Sequence, residues 1–135
     1  MNRELIEKAL KIKMFITDVD GVLTDGSLII GNNGEEFKSF NSQDGMGIKL
    51  LQKNDIITAI ITGRSSNIVS RRAAELDIGE VFQGVDDKIK VFNDLINKYS
   101  LTPEEVSYIG DDINDLPVLK KVGLAFSVKN GIETV

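Results

Sequence analysis

With no histidine and no cysteine, this chain must draw any acid–base chemistry near neutral pH from carboxylates, lysine or tyrosine. Two acidic groups stand directly after short apolar runs. Asp18-Val19-Asp20-Gly21 follows Met14-Phe15-Ile16, and Gly110-Asp111-Asp112-Ile113-Asn114-Asp115 follows Val106 to Ile109. Asp18 and Asp20 are two positions apart, so in extended chain they lean to the same side. If the fold brings them near Asp111, carboxylates about 4 Å apart repel by roughly 4 kcal/mol at an effective dielectric near 20. A bound cation is the simplest way to keep such a group ionised, and an all-oxygen donor set favours Mg²⁺. Acids at strand ends also serve as turn formers and helix caps, which accounts for either cluster taken alone. It accounts poorly for a third polar group at the end of a third apolar run, Thr62-Gly63-Arg64 after Ile56 to Ile61.

Lys88 stands at the start of a helical apolar period, Ile89, Phe92, Leu95, Ile96 and Tyr99. A cation there opposes the helix dipole by about 0.3–1 kcal/mol. An anion nearby would explain it; a solvated surface lysine is the alternative. Two other readings fail. A calcium loop starting at Asp18 needs glycine sixth and glutamate twelfth but meets Leu23 and Ile29, and one starting at Asp111 meets Leu116. Gly45-Met46-Gly47 lacks the third glycine of a dinucleotide loop, since Leu50 stands in its place.

The elements that must position these residues alternate. Apolar runs at Met14–Ile16, Ile56–Ile61, Val81-Phe82, Val106–Ile109 and Leu124–Phe126 read as strands. Helical periods cover residues 3–11, about Gly45 to Lys53, the run from Ile68 to Leu76, the stretch from Ile89, and Leu116 to Lys121. A helical turn starts at Thr102-Pro103-Glu104-Glu105, which has both a cap and a reaching-back glutamate. Strands alternating with helices predict an α/β fold, a Rossmann-like parallel sheet with helices on both faces, whose ligands bind beyond the carboxyl ends of the strands. Gly31-Asn32-Asn33-Gly34, between Leu28-Ile29-Ile30 and Phe37 to Phe40, predicts a β-hairpin over about 27–40. Consecutive apolar residues in a projecting ribbon need cover, so a homo-oligomer is expected.

The chain has 135 residues, 41% hydrophobic and 27% charged, which suits one domain spanning 1–135. The absence of cysteine excludes disulfides and thiolate chemistry, and the absence of histidine excludes histidine triads and histidine metal sites. A net charge of −5 argues against a general nucleic-acid binder. No apolar run approaches the roughly 18–20 residues of a membrane span, and the mixed charges of the N-terminus lack a signal peptide's apolar segment. A soluble, cytoplasmic domain is expected.

In this order (Asp18-Val19-Asp20-Gly21-Val22, then Thr62-Gly63-Arg64, then Lys88, then Gly110-Asp111-Asp112-Ile113-Asn114-Asp115) the residues resemble the four motifs of the haloacid dehalogenase superfamily of phosphatases. Asp25-Gly26, the hairpin, the run Asn41-Ser42-Gln43-Asp44-Gly45-Met46-Gly47-Ile48-Lys49-Leu50, and Thr62 to Ser66 with Arg72 are similar to the family of 3-deoxy-D-manno-octulosonate 8-phosphate phosphatases. The likeness covers nearly the whole chain. It implies a capless, Mg²⁺-dependent homotetramer acting on a sugar acid phosphate in lipopolysaccharide precursor synthesis.

The resemblance also implies roles. Asp18 is the nucleophile that takes the phosphoryl group. Asp20 protonates the leaving alkoxide and later activates water, while its main-chain carbonyl binds Mg²⁺. Asp18 and Asp111 ligate Mg²⁺ directly; Asp112 and Asp115 act behind them or through water. Thr62 and Lys88 stabilise the transferring oxygens. Arg64 suits the substrate carboxylate, and Gly63, Asn41, Asp44, Gly45, Lys49 and Arg72 are further implied substrate contacts. An acidic residue replaces the arginine in related phosphatases acting on nine-carbon sugar acids, so Arg64 favours the eight-carbon substrate over that alternative.

Outside this class, a signalling receiver domain shares an acidic pair, a threonine and a lysine, but its lysine comes last and precedes a proline, whereas Lys88 precedes Gly110-Asp111 and is followed by Ile89. A catalytically idle scaffold with a retained metal site is the other rival. The sequence stops at Val135, where Gly131-Ile132-Glu133 begins what reads as another helix, while family members continue into a glycine-rich tail that reaches a neighbour's site. The expectation is that small phosphate esters are still hydrolysed and that preference for the sugar acid is weaker.

Overall fold

A computed structural model of the protein describes residues 2–129; the helix expected from Gly131 lies outside the described residues. In chain order the elements are α1 (Arg3–Leu10), β1 (Met14–Thr17), β2 (Ile29–Ile30), β3 (Glu36–Phe37), α2 (Ser42–Lys53), β4 (Ile57–Ile61), α3 (Asn67–Glu75), β5 (Glu80–Phe82), α4 (Lys88–Lys98), β6 (Val106–Gly110), α5 (Leu116–Leu119) and β7 (Leu124–Ser127). Five strands form one sheet in the order β5-β4-β1-β6-β7, every pairing parallel. This is the predicted α/β architecture.

The interior strands lack a polar alternation because both faces of the sheet are covered. Met14, Ile16, Ala59, Ile61, Val106 and Tyr108 pack on one face with Phe92, Leu95 and Ile96 of α4 and Val118 of α5. Ile60 and Val19 pack on the other with Ile48 of α2, Val69 and Ala73 of α3, and Leu76 and Ile78. Register then decides where the polar residues emerge. Thr17 pairs with Ile60 on one side and Ile109 on the other, so Asp18, Thr62 and Asp111 leave their strands at one edge. The Asp18 amide donates to the Ile109 carbonyl at 3.1 Å, extending the ladder up to the first acid.

Local signals set most boundaries, with three differences. α2 begins at Ser42, earlier than the apolar period shows, because the Asn41 side chain accepts from the Gln43 amide and caps it. α5 ends at Leu119, short of Lys121, and follows a 3-10 turn at Ile113–Asp115 capped reciprocally by Asp112 and Asp115. The hairpin strands are only two residues each, closed further down by a bridge between Thr24 and Phe40. Leu28, Ile29, Ile30 and Phe37 all remain exposed on it. The Thr102–Glu105 capping box forms as the sequence predicts.

The α4 face of the core depends on a fully buried ring at Phe92. Truncation by Phe92→Ala is expected to lower unfolding free energy by about 3–5 kcal/mol. Urea denaturation measures this; a loss below 1 kcal/mol would mean the ring is not the centre of that layer.

Candidate active site

Lys88 is the first residue of α4, and its ammonium is buried, with the residue 3% exposed. Its Nζ donates to Asp18 Oδ2 at 2.9 Å and to Asp115 Oδ1 at 2.7 Å. The anions that explain a cation at this helix start are therefore two carboxylates of the chain itself, and the solvated-lysine alternative is overturned by burial. Burial works against the charged ammonium, but Asp18 and Asp115 outweigh it and hold Lys88 above its ordinary pKa. Burial raises Asp18, Lys88 pulls it back, and Asp115 adds to the rise.

Asp115 is wholly buried and its bonding is committed. Oδ1 accepts from Lys88 and from the Tyr108 hydroxyl at 2.5 Å; Oδ2 accepts from the amides of Asp111 and Asp112 at 3.1 and 3.2 Å. Burial first, then the Asp115 carboxylate, pushes the Tyr108 phenol far above its usual range, so it stays a donor. With four bonds made, Asp115 positions Lys88 and the Asp111 loop. Asp112 is exposed and caps the 3-10 turn through the Ile113 amide.

Asp111 differs. Its carboxylate accepts no side-chain hydrogen bond among the described residues, and burial, followed by Asp18, Asp115 and Asp112, raises it to about 6. Carboxylate oxygens of Asp18, Asp111 and Asp115 lie within 4.8 Å of one another, and Lys88 pairs with two of these three acids. Gly21 makes room for this: it has φ +83°, and a methyl there would fall 1.9 Å from Asp111 Oδ2. The set offers only oxygen donors and carries more negative charge than Lys88 balances. That fits a hard divalent cation.

Asp20 lines the same cleft, but its carboxylate is not in that acidic group. Lys38 Nζ donates to Asp20 Oδ1 at 2.6 Å and stands 3.0 Å from Glu36 Oε1, the latter an ion pair whose angles fall short of a hydrogen bond. The Lys38 side chain is 1% exposed. Burial disfavours its charge, yet Asp20 and Glu36 hold its pKa above the usual value. Arg64 Nη2 lies 3.9 Å from the same Glu36 oxygen. Thr62 is buried, fixed by its amide to Phe82 and its carbonyl to Val85 at 2.9 and 3.1 Å.

A cleft of about 260 Å³ thus gathers Asp18, Asp20, Thr62, Gly63, Arg64, Lys88, Asp111 and Asp112 at the carboxyl edge of the sheet. The remaining candidates do not line it. Asn41 caps α2, and with Asp44 it borders a neighbouring cleft beside Thr24 and Phe40. Gly45 packs under Arg72, whose guanidinium lies 5.5 Å from the centre of the Phe40 ring and 3.4 Å from Glu75. Lys49 pairs with Asp77. Sequence reasoning missed Lys38 and the cleft-lining Asn114. The signal for Lys38 was alternation: Glu36 and Lys38 flank Phe37, so two charges face inward where one ring faces out.

A model of the haloacid dehalogenase-like hydrolases matches residues 45–123, more than half of the chain. The 3-deoxy-D-manno-octulosonate 8-phosphate phosphatase of Escherichia coli K12 is 48% identical over 128 residues, covering 95% of this chain and 68% of that protein. The crystal structure of the Yersinia pestis phosphatase of the same name superposes with a TM-score of 0.97 at 42% identity, over 99% of this chain and 72% of that one. A Moraxella catarrhalis phosphatase of that name, in complex with a magnesium ion, a phosphate ion and KDO, superposes with a TM-score of 0.95 at 45% identity, over 98% and 76%. The receiver-domain alternative is thereby set aside: this chain is a phosphatase belonging to the haloacid dehalogenase-like hydrolases.

Proposed function

We propose that the protein hydrolyses 3-deoxy-D-manno-octulosonate 8-phosphate to the free sugar acid and phosphate, with Mg²⁺, through a phosphorylated Asp18. The observation that carries the reading is the pairing of Asp18 with buried Lys88 beside the uncommitted carboxylate of Asp111, in a cleft that also holds Thr62 and Arg64. The names of the relatives and the complex with magnesium, phosphate and KDO support the substrate and the ion.

Asp18 and Asp111, with the main-chain carbonyl of Asp20, would hold Mg²⁺, which when bound neutralises phosphate charge beside the nucleophile. Asp18 is the attacking carboxylate: one of its oxygens bonds to phosphorus as the bond from phosphorus to the sugar oxygen breaks. Lys88, fixed between Asp18 and Asp115, holds the nucleophile's direction and presents positive charge to the phosphoryl oxygens; Thr62 adds a hydrogen-bond donor. Asp20, entering the step protonated on the oxygen that Lys38 does not hold, gives that proton to the departing sugar oxygen. It then takes a proton from the water that attacks phosphorus, so that the bond to Asp18 breaks and phosphate leaves.

Arg64, about half exposed at the cleft and weakly tied to Glu36, is free to meet the substrate carboxylate with its planar fork. This reading invokes no cap domain: residues 62–64 line the cleft, and Glu36 of the hairpin approaches Arg64 at its side. A single domain over 1–135 then suffices for the chemistry. The hairpin's apolar outer face supports a homotetramer. Asn41, Asp44, Gly45, Lys49 and Arg72 remain substrate contacts in this reading only through such assembly, since within one chain they lie outside the cleft.

Phosphate release from octulosonate 8-phosphate is expected to require Mg²⁺ and to vanish in Asp18→Asn, whose amide keeps the shape but is a poor nucleophile. A folded Asp18→Asn protein that retains turnover would refute the phosphorylated-aspartate route. Arg64→Ala removes one charged bond worth about 1.5–3 kcal/mol. KM for the sugar acid phosphate should rise about tenfold or more, while that for a small ester without a carboxylate stays nearly unchanged; equal rises on both would clear Arg64 of reading the carboxylate. Light scattering at micromolar concentration should give the mass of four chains, and a monomer there would remove the assembly from the proposal.

A further inference from the structure

Lys38 lies outside the residues to which a role has been given, yet it is the most deeply buried contact of a cleft acid that the hairpin supplies. A lysine stem with 1% exposure has given up nearly all its water, and burying an ammonium is costly unless carboxylates match it. Here the matching carboxylates are Asp20 at 2.6 Å and Glu36 at 3.0 Å, one from the loop after β1 and one from β3. The two are separated from each other by the hairpin turn, so the ion group fastens hairpin to sheet edge. Its effect on Asp20 is directional. Oδ1 is held by the ammonium, and Oδ2 accepts from no other group among the described residues. Asp20 lines the cleft in that arrangement.

We infer that Lys38 is a positioning residue for leaving-group protonation: by clamping one carboxyl oxygen of Asp20, it turns the other to the bridging oxygen of the phosphate ester. The inference rests on the reading of Asp20 as proton donor. Proton delivery needs the donor within hydrogen-bond reach and correctly aimed, and a carboxyl on a free rotor spends most of its time elsewhere. Glu36 serves the clamp from the other side, holding the ammonium over Asp20, and its 3.9 Å approach to Arg64 places clamp and carboxylate-reading arginine on one inner face of the hairpin. Proton donation matters only when the leaving group needs it. A sugar alkoxide does; a p-nitrophenolate does not.

That difference gives the test. In single-turnover experiments with Mg²⁺, the rate of leaving-group release is measured for octulosonate 8-phosphate and for p-nitrophenyl phosphate, in wild type, Lys38→Met, Lys38→Met/Glu36→Gln and Asp20→Asn. The double variant removes the carboxylate of Glu36, one of the two that the single variant leaves unmatched, so it keeps the test sound if Lys38→Met alone unfolds on heating or dilution. Lys38→Met and the double variant should release the sugar about 10²-fold more slowly, the lower end of what general acid catalysis supplies. Their p-nitrophenol release should fall less than about threefold, with KM for both esters nearly unchanged. Lys38→Arg, which restores a cation to the clamp, should recover part of the sugar rate. Equal losses on both esters, or no loss on either, would overturn the positioning role. Asp20→Asn separates the two levels: if it too is indifferent to the leaving group, the reading of Asp20 fails and Lys38 falls with it. If Asp20→Asn is selective and the Lys38 variants are not, only the clamp is wrong.

Discussion

An ammonium ion can stay in a protein interior only if carboxylates surround it, and at Lys88 this requirement ties together three distant parts of the chain. The lysine opens α4, Asp18 directly follows β1, and Asp115 closes the 3-10 turn after β6; none could keep its place without the others. Removing one member of such a buried set costs about 3–5 kcal/mol, because the partner is left charged and dry. The same bonds that satisfy burial fix the direction of the Asp18 carboxylate, the proposed nucleophile. Burial raises the Asp18 carboxyl above its ordinary pKa and Lys88 offsets part of that rise, so one interaction serves both the packing and the charge of this carboxylate.

Around that pair, the sheet sets geometry and the glycines set clearance. Parallel register brings the ends of β1, β4 and β6 level, and the acids and Thr62 emerge within one cleft. Asp115 spends its lone pairs on Lys88, Tyr108 and two amides, while Asp111 spends none on another side chain. The division of labour between two acids four residues apart follows from hydrogen-bond supply. The acid with donors becomes scaffold, and the one without is raised in pKa and left available to a cation.

The hairpin is a two-sided device. Ile29 and its cross-strand partner Phe37 share one face and are exposed, as are Leu28 and Ile30, while Glu36 and Lys38 alternate to the other face and reach Arg64 and Asp20. A ribbon of two-residue strands has little stability of its own. The inward ion group and the bridge between Thr24 and Phe40 attach it to the sheet edge. The outward apolar surface is what an assembly would cover. Ordering of the hairpin and orientation of Asp20 are thus two consequences of one contact.

The sequence alone determined the alternation of strands and helices, because hydrophobic periodicity and capping residues act locally: Asn41, Thr102 and Asp112 sit where their helical turns begin. It also disclosed Asp18, Thr62, Lys88 and Asp111 as chemistry-bearing, since polar residues at the ends of apolar strands must share an edge in a parallel sheet. What it could not disclose was pairing across space. Asp20 and Lys38 are 18 residues apart and Asp18 and Lys88 are 70 apart, and only the packed chain decides which carboxylate meets which cation. Tertiary structure therefore decided that Asp115 is scaffold, that Asp20 belongs to Lys38, and that Asn41, Asp44, Lys49 and Arg72 stand away from the cleft. A side chain's spacing along the backbone fixes the element it rides on, but its charge is matched by whatever the core brings within 3 Å, and that is a property of the whole fold.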